Sequence, residues 1–298
     1  MDQAGTDKLT LGVALRLGRV SNVPTVWTNA AAGVALAGSG FPLAIFAGLM
    51  LALSLFYIGG MYLNDAFDRE IDARERPERP IPSGIVAAQT VFAIGFALMA
   101  AGWLLLVAIG YAPDDGTGWR APLAGALLGG AIVVYDMWHK ANPASPLIMG
   151  LCRVLVYVTA AVAVAPFVSS KMAVAAVVAL AYLIGLTYAA KQENLGRITN
   201  AWPLGFLAAA IGYAVWTATP GVAAFLAAAA FIGWLAWSMQ FLLMPDRVNV
   251  PRAVVSLIAG LCLLDAVFIA AAGYTWPVLL AAGAFLLTRA LQRHIPGT

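Results

Sequence analysis

Asn64-Asp65-Ala66-Phe67-Asp68-Arg69-Glu70-Ile71-Asp72 is a polar stretch that directly follows an uncharged apolar run, 41–61. Ten of the 31 charged residues (17 Lys and Arg, 14 Asp and Glu) lie between positions 65 and 79. An apolar run of this length is typical of a membrane-spanning helix, and the polar stretch marks its end at the membrane surface. If the helix continues, Asn64, Asp68 and Asp72 follow one another at intervals of four residues and share one face.

This face carries the oxygen ligands that Mg²⁺ prefers, since Mg²⁺ is usually bound by a few carboxylates together with the phosphates of a substrate. Asn64, Asp68 and Asp72 are therefore the candidate metal ligands. Arg76 and Arg79 lie just downstream and are candidate ligands of phosphate oxygens. The alternative is a solvated loop whose charges have no common function, but the regular spacing at a helix end favours a site.

The segment 64–84 resembles the first Asp-rich motif of the UbiA superfamily of intramembrane prenyltransferases. That motif reads N-D-x-x-D-x-x-x-D, then arginines, then R-P-[LI]-P-S-G, and every element of it is present here, down to Ser83-Gly84. The resemblance implies an all-α, polytopic transmembrane helical bundle that binds an isoprenyl diphosphate through Mg²⁺ and passes the prenyl group to an acceptor. Close identity to the motif is confined to this segment.

Composition independently indicates a membrane protein. The chain is 62% hydrophobic and 10% charged, and its mean hydropathy is +0.87. We expect one transmembrane domain, 1–298, without a cleavable signal peptide. The resemblance to the family implies a core of nine helices, so the run at 275–292 is expected to be an added tenth. The predicted spans are 22–39, 42–66, 86–110, 119–138, 145–167, 172–191, 199–217, 221–244, 252–272 and 275–292.

The distribution of positive charge predicts the orientation. With ten spans and a cytoplasmic N-terminus, fourteen of the seventeen Lys and Arg residues fall on the inner side, as the positive-inside rule requires. Both termini are then cytoplasmic, in what we expect to be a prokaryotic inner membrane. The net charge of +3 is explained by this orientation towards anionic lipid, so no nucleic-acid partner is expected.

Two further segments, 139–144 and 191–199, are predicted to reach the same side as the Asp-rich stretch. Lys140 is a candidate diphosphate ligand or an interfacial lysine, whereas His139 is either an acceptor base or, more often for such a residue, structural. Arg153 lies inside the fifth span, where a charged group is costly, so it is expected to pair with the diphosphate or with Asp136. Asp65 is assigned to orienting a metal ligand or acting on the acceptor's proton.

The sixth span departs from the family pattern. Typical members carry a second Asp-rich motif there, whereas this chain has Lys191 and a single acid, Glu193. Lys191 is predicted to bind the diphosphate directly, and Glu193 to serve as the remaining metal ligand; a site with one Mg²⁺ is the alternative. The departure puts ordinary aromatic prenylation in doubt and is similar to a divergent branch such as the EboC-type members.

Three other polar or reactive residues lie in predicted spans. Cys152 and Cys262 lack metal-ligand spacing and are expected to be buried, unpaired thiols. Asp265 lies in the middle of the ninth span, and its depth indicates a polar contact inside the bundle, either structural or chemical.

The predicted activity is Mg²⁺-dependent transfer of a prenyl group from an isoprenyl diphosphate to an unknown acceptor at the cytoplasmic side of the membrane, with release of diphosphate. Two alternatives remain. A terpene cyclase would use the same metal-binding face without an acceptor, and a transporter or scaffold would show no turnover.

Overall fold

The computed structural model describes residues 9–113, 116–140, 142–192, 200–219 and 221–297. Within these ranges the chain is all-helical, with no β-strand. The α-helices in chain order are α1 (Leu11–Leu17), α2 (Val23–Ala37), α3 (Leu43–Phe67), α4 (Arg69–Glu75), α5 (Ala88–Tyr111), α6 (Arg120–Trp138), α7 (Ser145–Val162), α8 (Ser170–Lys191), α9 (Leu207–Thr217), α10 (Val222–Leu243), α11 (Val250–Ala271) and α12 (Trp276–Leu291).

Each of the ten predicted spans corresponds to one of these helices, and the prediction of a polytopic helical bundle is confirmed. In the described part of the chain, seven helices are long and apolar enough to cross a bilayer, namely α3, α5, α6, α7, α8, α10 and α11. The helix in the predicted span 199–217 is shorter than predicted, because residues Trp202–Phe206 form a 3₁₀ segment before α9 begins. The fifth span also ends earlier, at Val162 instead of 167.

The helices α2 and α11 lie at the centre of the bundle. Nearly every side chain of both is buried, and they contact each other as well as α8 and α12. By contrast, α5 packs mainly on α3 and α6, and much of its surface is exposed. A helix in a bilayer can be apolar on every face, because its outer side chains contact lipid. Burial in this fold therefore reflects the position of a helix in the bundle and not the polarity of its side chains alone.

Close helix contacts depend on small residues. A Cβ atom at Gly33 in α2 would lie 2.5 Å from the carbonyl oxygen of Tyr157 in α7, so these two helices approach as closely as backbones can. A Cβ at Gly59 in α3 would lie 2.7 Å from the carbonyl oxygen of Gly95 in α5. Such contacts are typical of membrane bundles, where close packing stabilises association. The first of them brings the polar face of α2 against α7.

The polar stretch that follows α3 is helical on both sides of Asp68. The Asp68 N–H donates to the Asn64 carbonyl (3.0 Å) and the Asp72 N–H to the Asp68 carbonyl (2.9 Å), so helical hydrogen bonding continues from α3 into α4. After α4 the chain reverses, with the Ser83 N–H bonded to the Arg79 carbonyl and Gly84 at φ +75°. This reversal returns Arg79 to the acidic face, as the next section describes.

Candidate active site

A cavity of about 250 Å³ opens where α3, α6 and α8 end and where α2 and α7 begin. The central helix α11 closes it from below through Val254, Ile258 and Leu261. The helix ends bring together residues that are far apart in sequence. The polar residues among those that line the cavity are Arg19, Asn22, Tyr57, Asn64, Asp68, Arg76, Arg79, Tyr135, His139, Lys140, Arg153 and Thr187.

The predicted metal-binding residues divide into two positions. Asn64 and Asp68 line the cavity, and both are buried, with 6% and 4% exposure. Asp72 lies outside the lining; its Oδ2 accepts a hydrogen bond from Arg79 Nη1 at 2.7 Å, and its Oδ1 is buried without a hydrogen-bond partner among the described residues. The helical face is therefore present, but Asp72 is engaged by an arginine of the same segment.

Asp68 is held between two groups at the end of α6. His139 Nε2 and Lys140 Nζ each lie 3.4 Å from its Oδ2. Burial by itself would raise the pKa of Asp68, but the hydrogen bond and charge of His139 and the charge of Lys140 outweigh burial and hold the pKa below its usual value. Asp68 is thus an ionised carboxylate at neutral pH, as a metal or cation ligand must be.

Asp65, which the sequence assigned to catalysis, is absent from the cavity lining. Its Oδ1 accepts from Arg19 Nη2 (3.1 Å) and from Arg79 Nη1 (3.2 Å), so its carboxylate forms ion pairs with two guanidinium groups. Arg79 in turn bridges Asp65 and Asp72. The role that this arrangement supports for Asp65 is to hold Arg19 and Arg79 at the edge of the cavity.

Four of the five predicted diphosphate ligands line the cavity, namely Arg76, Arg79, Lys140 and Arg153. Arg76 has no ion pair in the described part of the chain, so its guanidinium is free to bind an anion. Lys191 is placed elsewhere: its Nζ donates to the Asn142 carbonyl (2.9 Å) and to Ser145 Oγ (2.7 Å), where it ties α8 to the start of α7. Glu193, the predicted metal ligand of the sixth span, lies outside the described residues.

Arg153 is held by α2 and not by Asp136, the protein partner that the sequence suggested. Its Nη1 donates to Asn29 Oδ1 (2.5 Å) and to Thr25 Oγ1 (3.4 Å). Its predicted position in the bundle interior is found, with the guanidinium at the boundary of the cavity. Asp265, below it, is fully buried and hydrogen-bonded, and both cysteines are buried free thiols as expected.

The structure also brings two residues to the site that the motif did not point to. Arg19 precedes α2 at φ +41° and lines the cavity, where Arg19 Nη2 also donates to Asn64 Oδ1 (3.3 Å). Asp136 in α6 accepts from Asn64 Nδ2 at 3.1 Å, which turns the amide oxygen of Asn64 away from α6 and towards Arg19. The sequence signal for Asp136 is its position as a carboxylate in an otherwise apolar span, one residue after Tyr135.

A second cavity of about 80 Å³ continues from the first into the bundle. The two share five lining residues, namely Tyr57, Met61, Tyr135, Met149 and Arg153. The inner part is almost wholly apolar and ends against Leu53, Phe56, Leu128 and Val156. Together the two cavities form a polar, cationic outer chamber and a mainly apolar inner chamber, and Asp136 is a carboxylate in the lining of the inner chamber.

The donors present suit Mg²⁺ only if a substrate completes the coordination. In the part of the chain that the structure describes, no group of three His, Cys, Asp or Glu side chains is close enough to hold a metal. The Asn64 amide oxygen and the Asp68 carboxylate are hard oxygen donors on the cavity wall. Mg²⁺ is commonly held by one or two such groups plus the phosphates of its substrate and water, so these two residues fit an ion that arrives with a diphosphate.

The family model of the UbiA prenyltransferase family matches residues 25–194 of this chain. The match covers more than half of the sequence and includes most of the residues that line the outer chamber. The chain therefore belongs to the UbiA prenyltransferase family and is an integral membrane protein, which confirms the resemblance found in 64–84.

Its curated relatives include several digeranylgeranylglyceryl phosphate synthases. The protein from Sulfolobus acidocaldarius is 33% identical over 99 residues, which are 33% of this chain and 36% of that protein. The protein from Ignicoccus hospitalis is 52% identical over 52 residues, 17% of each chain. The chain thus matches about a third or less of the length of these relatives.

Solved structures show the same fold at low identity. A UbiA homolog from Aeropyrum pernix K1 aligns with a TM-score of 0.65 and 18% identity over 83% of this chain and 97% of that one. A UbiA homolog from Archaeoglobus fulgidus, bound to DMAPP and Mg²⁺, aligns with a TM-score of 0.52 and 15% identity over 95% and 99% of the two chains. These likenesses establish the helical arrangement.

Proposed function

We propose that this protein transfers a prenyl group from an isoprenyl diphosphate to an acceptor, with Mg²⁺ bound alongside the diphosphate, at the cytoplasmic face of the membrane. One observation carries the proposal: a cationic chamber leads directly into an apolar chamber, as an amphiphile with an anionic head and a hydrocarbon tail requires. Among the charged residues of the outer lining, five are cationic and one is a carboxylate, Asp68.

The head group would be bound in the outer chamber. Five cations line it, namely Arg19, Arg76, Arg79, Lys140 and Arg153, so the phosphate oxygens would meet guanidinium groups able to form paired hydrogen bonds. Asn64 and Asp68 would hold the Mg²⁺, and the ion would supply additional positive charge for the leaving diphosphate. In a chamber shielded from water, fixed positive charge stabilises the departing anion more strongly than it would in water.

The prenyl tail would lie in the inner chamber, with its reactive carbon near the residues shared by both chambers. The rings of Tyr57 and Tyr135 stand at this junction and can face a developing allylic cation. The bond between that carbon and the diphosphate oxygen breaks with its electron pair going to diphosphate. The acceptor then forms the new bond to the carbon and releases its proton.

The acceptor is proposed to be a small polar or phosphate-bearing molecule that enters from the membrane surface, since the cationic outer chamber opens at the helix ends. The names of the curated relatives, digeranylgeranylglyceryl phosphate synthases, support an acceptor of this kind. A terpene cyclase, the alternative considered from the sequence, has no observation in its favour among the described residues.

The test uses the purified protein in lipid nanodiscs with Mg²⁺ and isoprenyl diphosphates of increasing length, with and without an extract of polar lipids. We expect diphosphate release that needs both Mg²⁺ and the extract, together with a prenylated product seen by mass spectrometry. Release without the extract, with a hydrocarbon product, would identify a cyclase. No release under any condition, from protein that binds none of the diphosphates, would refute the assignment of an enzyme.

A further inference from the structure

Asp265 in α11 is a fully buried carboxylate that does not line either chamber. Three groups donate hydrogen bonds to it: Thr28 Oγ1 (2.5 Å) and Asn29 Nδ2 (2.6 Å) to Oδ2, and Tyr157 Oη (2.5 Å) to Oδ1. An ionisable group at this depth in a membrane bundle is costly and commonly marks a functional contact. The three hydrogen bonds reduce that cost, but they do not explain why a carboxylate is present at this position.

Asn29 and Arg153 connect Asp265 to the outer chamber. Asn29 lies between Asp265 and Arg153, with its Nδ2 directed at Asp265 and its Oδ1 accepting from Arg153 Nη1. A carboxylate can only accept hydrogen bonds, so Asp265 requires the NH₂ side of the Asn29 amide to face it. The oxygen side is thereby fixed towards Arg153. Asn29 is 0% exposed, so its amide cannot form hydrogen bonds with bulk water instead.

We propose that Asp265 is a positioning residue for Arg153 and acts through the Asn29 amide. The chain from α11 through α2 to α7 holds the Arg153 guanidinium at the boundary of the two chambers, where the head and the first carbon of an isoprenyl diphosphate would meet. This inference rests on the function proposed above and assigns Asp265 a role in it.

The substitution Asp265→Asn separates this role from simple packing, since it changes hardly any volume. An amide at 265 has one acceptor oxygen for the three donors that the two carboxylate oxygens satisfy, so it no longer fixes Asn29 in one orientation. Asn29 is then free to turn over, which directs its NH₂ group at Arg153 and removes the acceptor for the guanidinium. The exchange variant Asn29→Asp with Asp265→Asn restores an acceptor for Arg153 while retaining one carboxylate and one amide in the same volume.

The measurement is the affinity for inorganic diphosphate with Mg²⁺, by calorimetry on protein in nanodiscs, alongside the melting temperature. A charge-assisted hydrogen bond lost from the site corresponds to about a tenfold weaker affinity, which we expect for Asp265→Asn and for Arg153→Ala. The two changes together should be no worse than Arg153→Ala alone, and the exchange variant should return to within about a factor of two of the unaltered protein. Ser238→Ala in α10, which removes a buried hydroxyl bonded to the Trp234 carbonyl, serves as the control and should bind normally.

Asn29→Leu cuts the link but leaves Asp265 with Thr28 and Tyr157, so it should show the same loss of affinity even if Asp265→Asn folds poorly. The positioning role is wrong if either single variant binds diphosphate normally, or if Asp265→Asn weakens binding further in protein that already lacks Arg153. If the unaltered protein binds no diphosphate, the proposed function itself fails, which is a distinct result.

Discussion

The carboxylates of Asp68 and Asp72 have different partners although they lie on one helix face. Asp68 meets His139, Lys140 and the chamber, whereas Asp72 meets Arg79 and is 1% exposed. Asp136 has a third kind of position, since it contacts the Asn64 amide and leaves its Oδ2 buried without a hydrogen-bond partner among the described residues. The spacing of acids in a sequence therefore identifies the site, but the partners decide what each acid does.

This difference predicts different phenotypes for two equivalent changes. Asp68→Asn removes a charge that faces the chamber, so we expect turnover to fall by about 10² to 10³-fold, as for loss of one electrostatic contact to a transition state, in protein that remains stably folded. Asp72→Asn breaks a buried ion pair with Arg79 and should lower the free energy of unfolding by about 1–3 kcal/mol while reducing turnover less. Steady-state kinetics and thermal unfolding of both variants check this; equal effects in the two assays would contradict it.

At the scale of helices, the sequence and the structure agree where apolar length decides the outcome. The runs at 42–66 and 86–110 become α3 and α5 to within two residues, because backbone groups in a bilayer must be hydrogen-bonded within the segment and a long apolar run is therefore helical. The short α1 was not predicted, since it does not depend on a long apolar run, and residues Trp202–Phe206 of the predicted span 199–217 form a 3₁₀ turn before α9.

The partners across helices were harder to predict than the helices. The sequence identified Arg76, Arg79, Lys140 and Arg153 as cations near one membrane surface, and each lines the chamber. It could not give the direction in which Lys191 points, because one residue of difference turns a helical side chain by about 100°. Arg19 and Asn29 were missed, since their contacts with Asn64 and Arg153 join segments that are far apart in the chain.

The helix α3 also sets the depth of the inner chamber through Phe56, whose ring closes its floor. The space around this ring exists because its neighbours are glycines: a Cβ at Gly102 would lie 3.0 Å from the ring, and those at Gly125 and Gly129 would lie 3.6 Å and 3.4 Å away. Removing the ring should therefore join the inner chamber to space between α5 and α6.

We expect Phe56→Ala to shift the preferred substrate towards isoprenyl diphosphates that are longer by at least about one C5 unit, each buried CH₂ contributing about 0.8 kcal/mol. The same change removes a buried ring and should cost about 3–5 kcal/mol of stability, so turnover is measured well below the melting temperature. The lipid-facing Phe96→Ala in α5 is the control, because its side chain is 46% exposed and does not line a chamber. An unchanged order of chain-length preference in Phe56→Ala would show that Phe56 does not limit the tail.

For the molecule as a whole, the position of the chamber fixes which helix ends share a membrane surface. Asp68 at the end of α3, His139 after α6 and Thr187 near the end of α8 line one chamber, so the loop between α7 and α8 lies at the opposite end of the bundle. Most Lys and Arg residues fall on the chamber side, and from the positive-inside rule we propose that this side is cytoplasmic. An enzyme oriented in this way would draw its diphosphate substrate from the cytoplasm.

A labelling experiment in intact cells tests this orientation. The two native cysteines are buried, so a membrane-impermeant maleimide should react only with an introduced thiol. Glu78, on the chamber side, and Lys171, at the start of α8, are both exposed and suit Glu78→Cys and Lys171→Cys. We expect Lys171→Cys to be labelled in intact cells, and Glu78→Cys only after the membrane is permeabilised. The reverse pattern would place the chamber on the outer surface, where cytoplasmic isoprenyl diphosphates could not reach it without a separate route across the membrane.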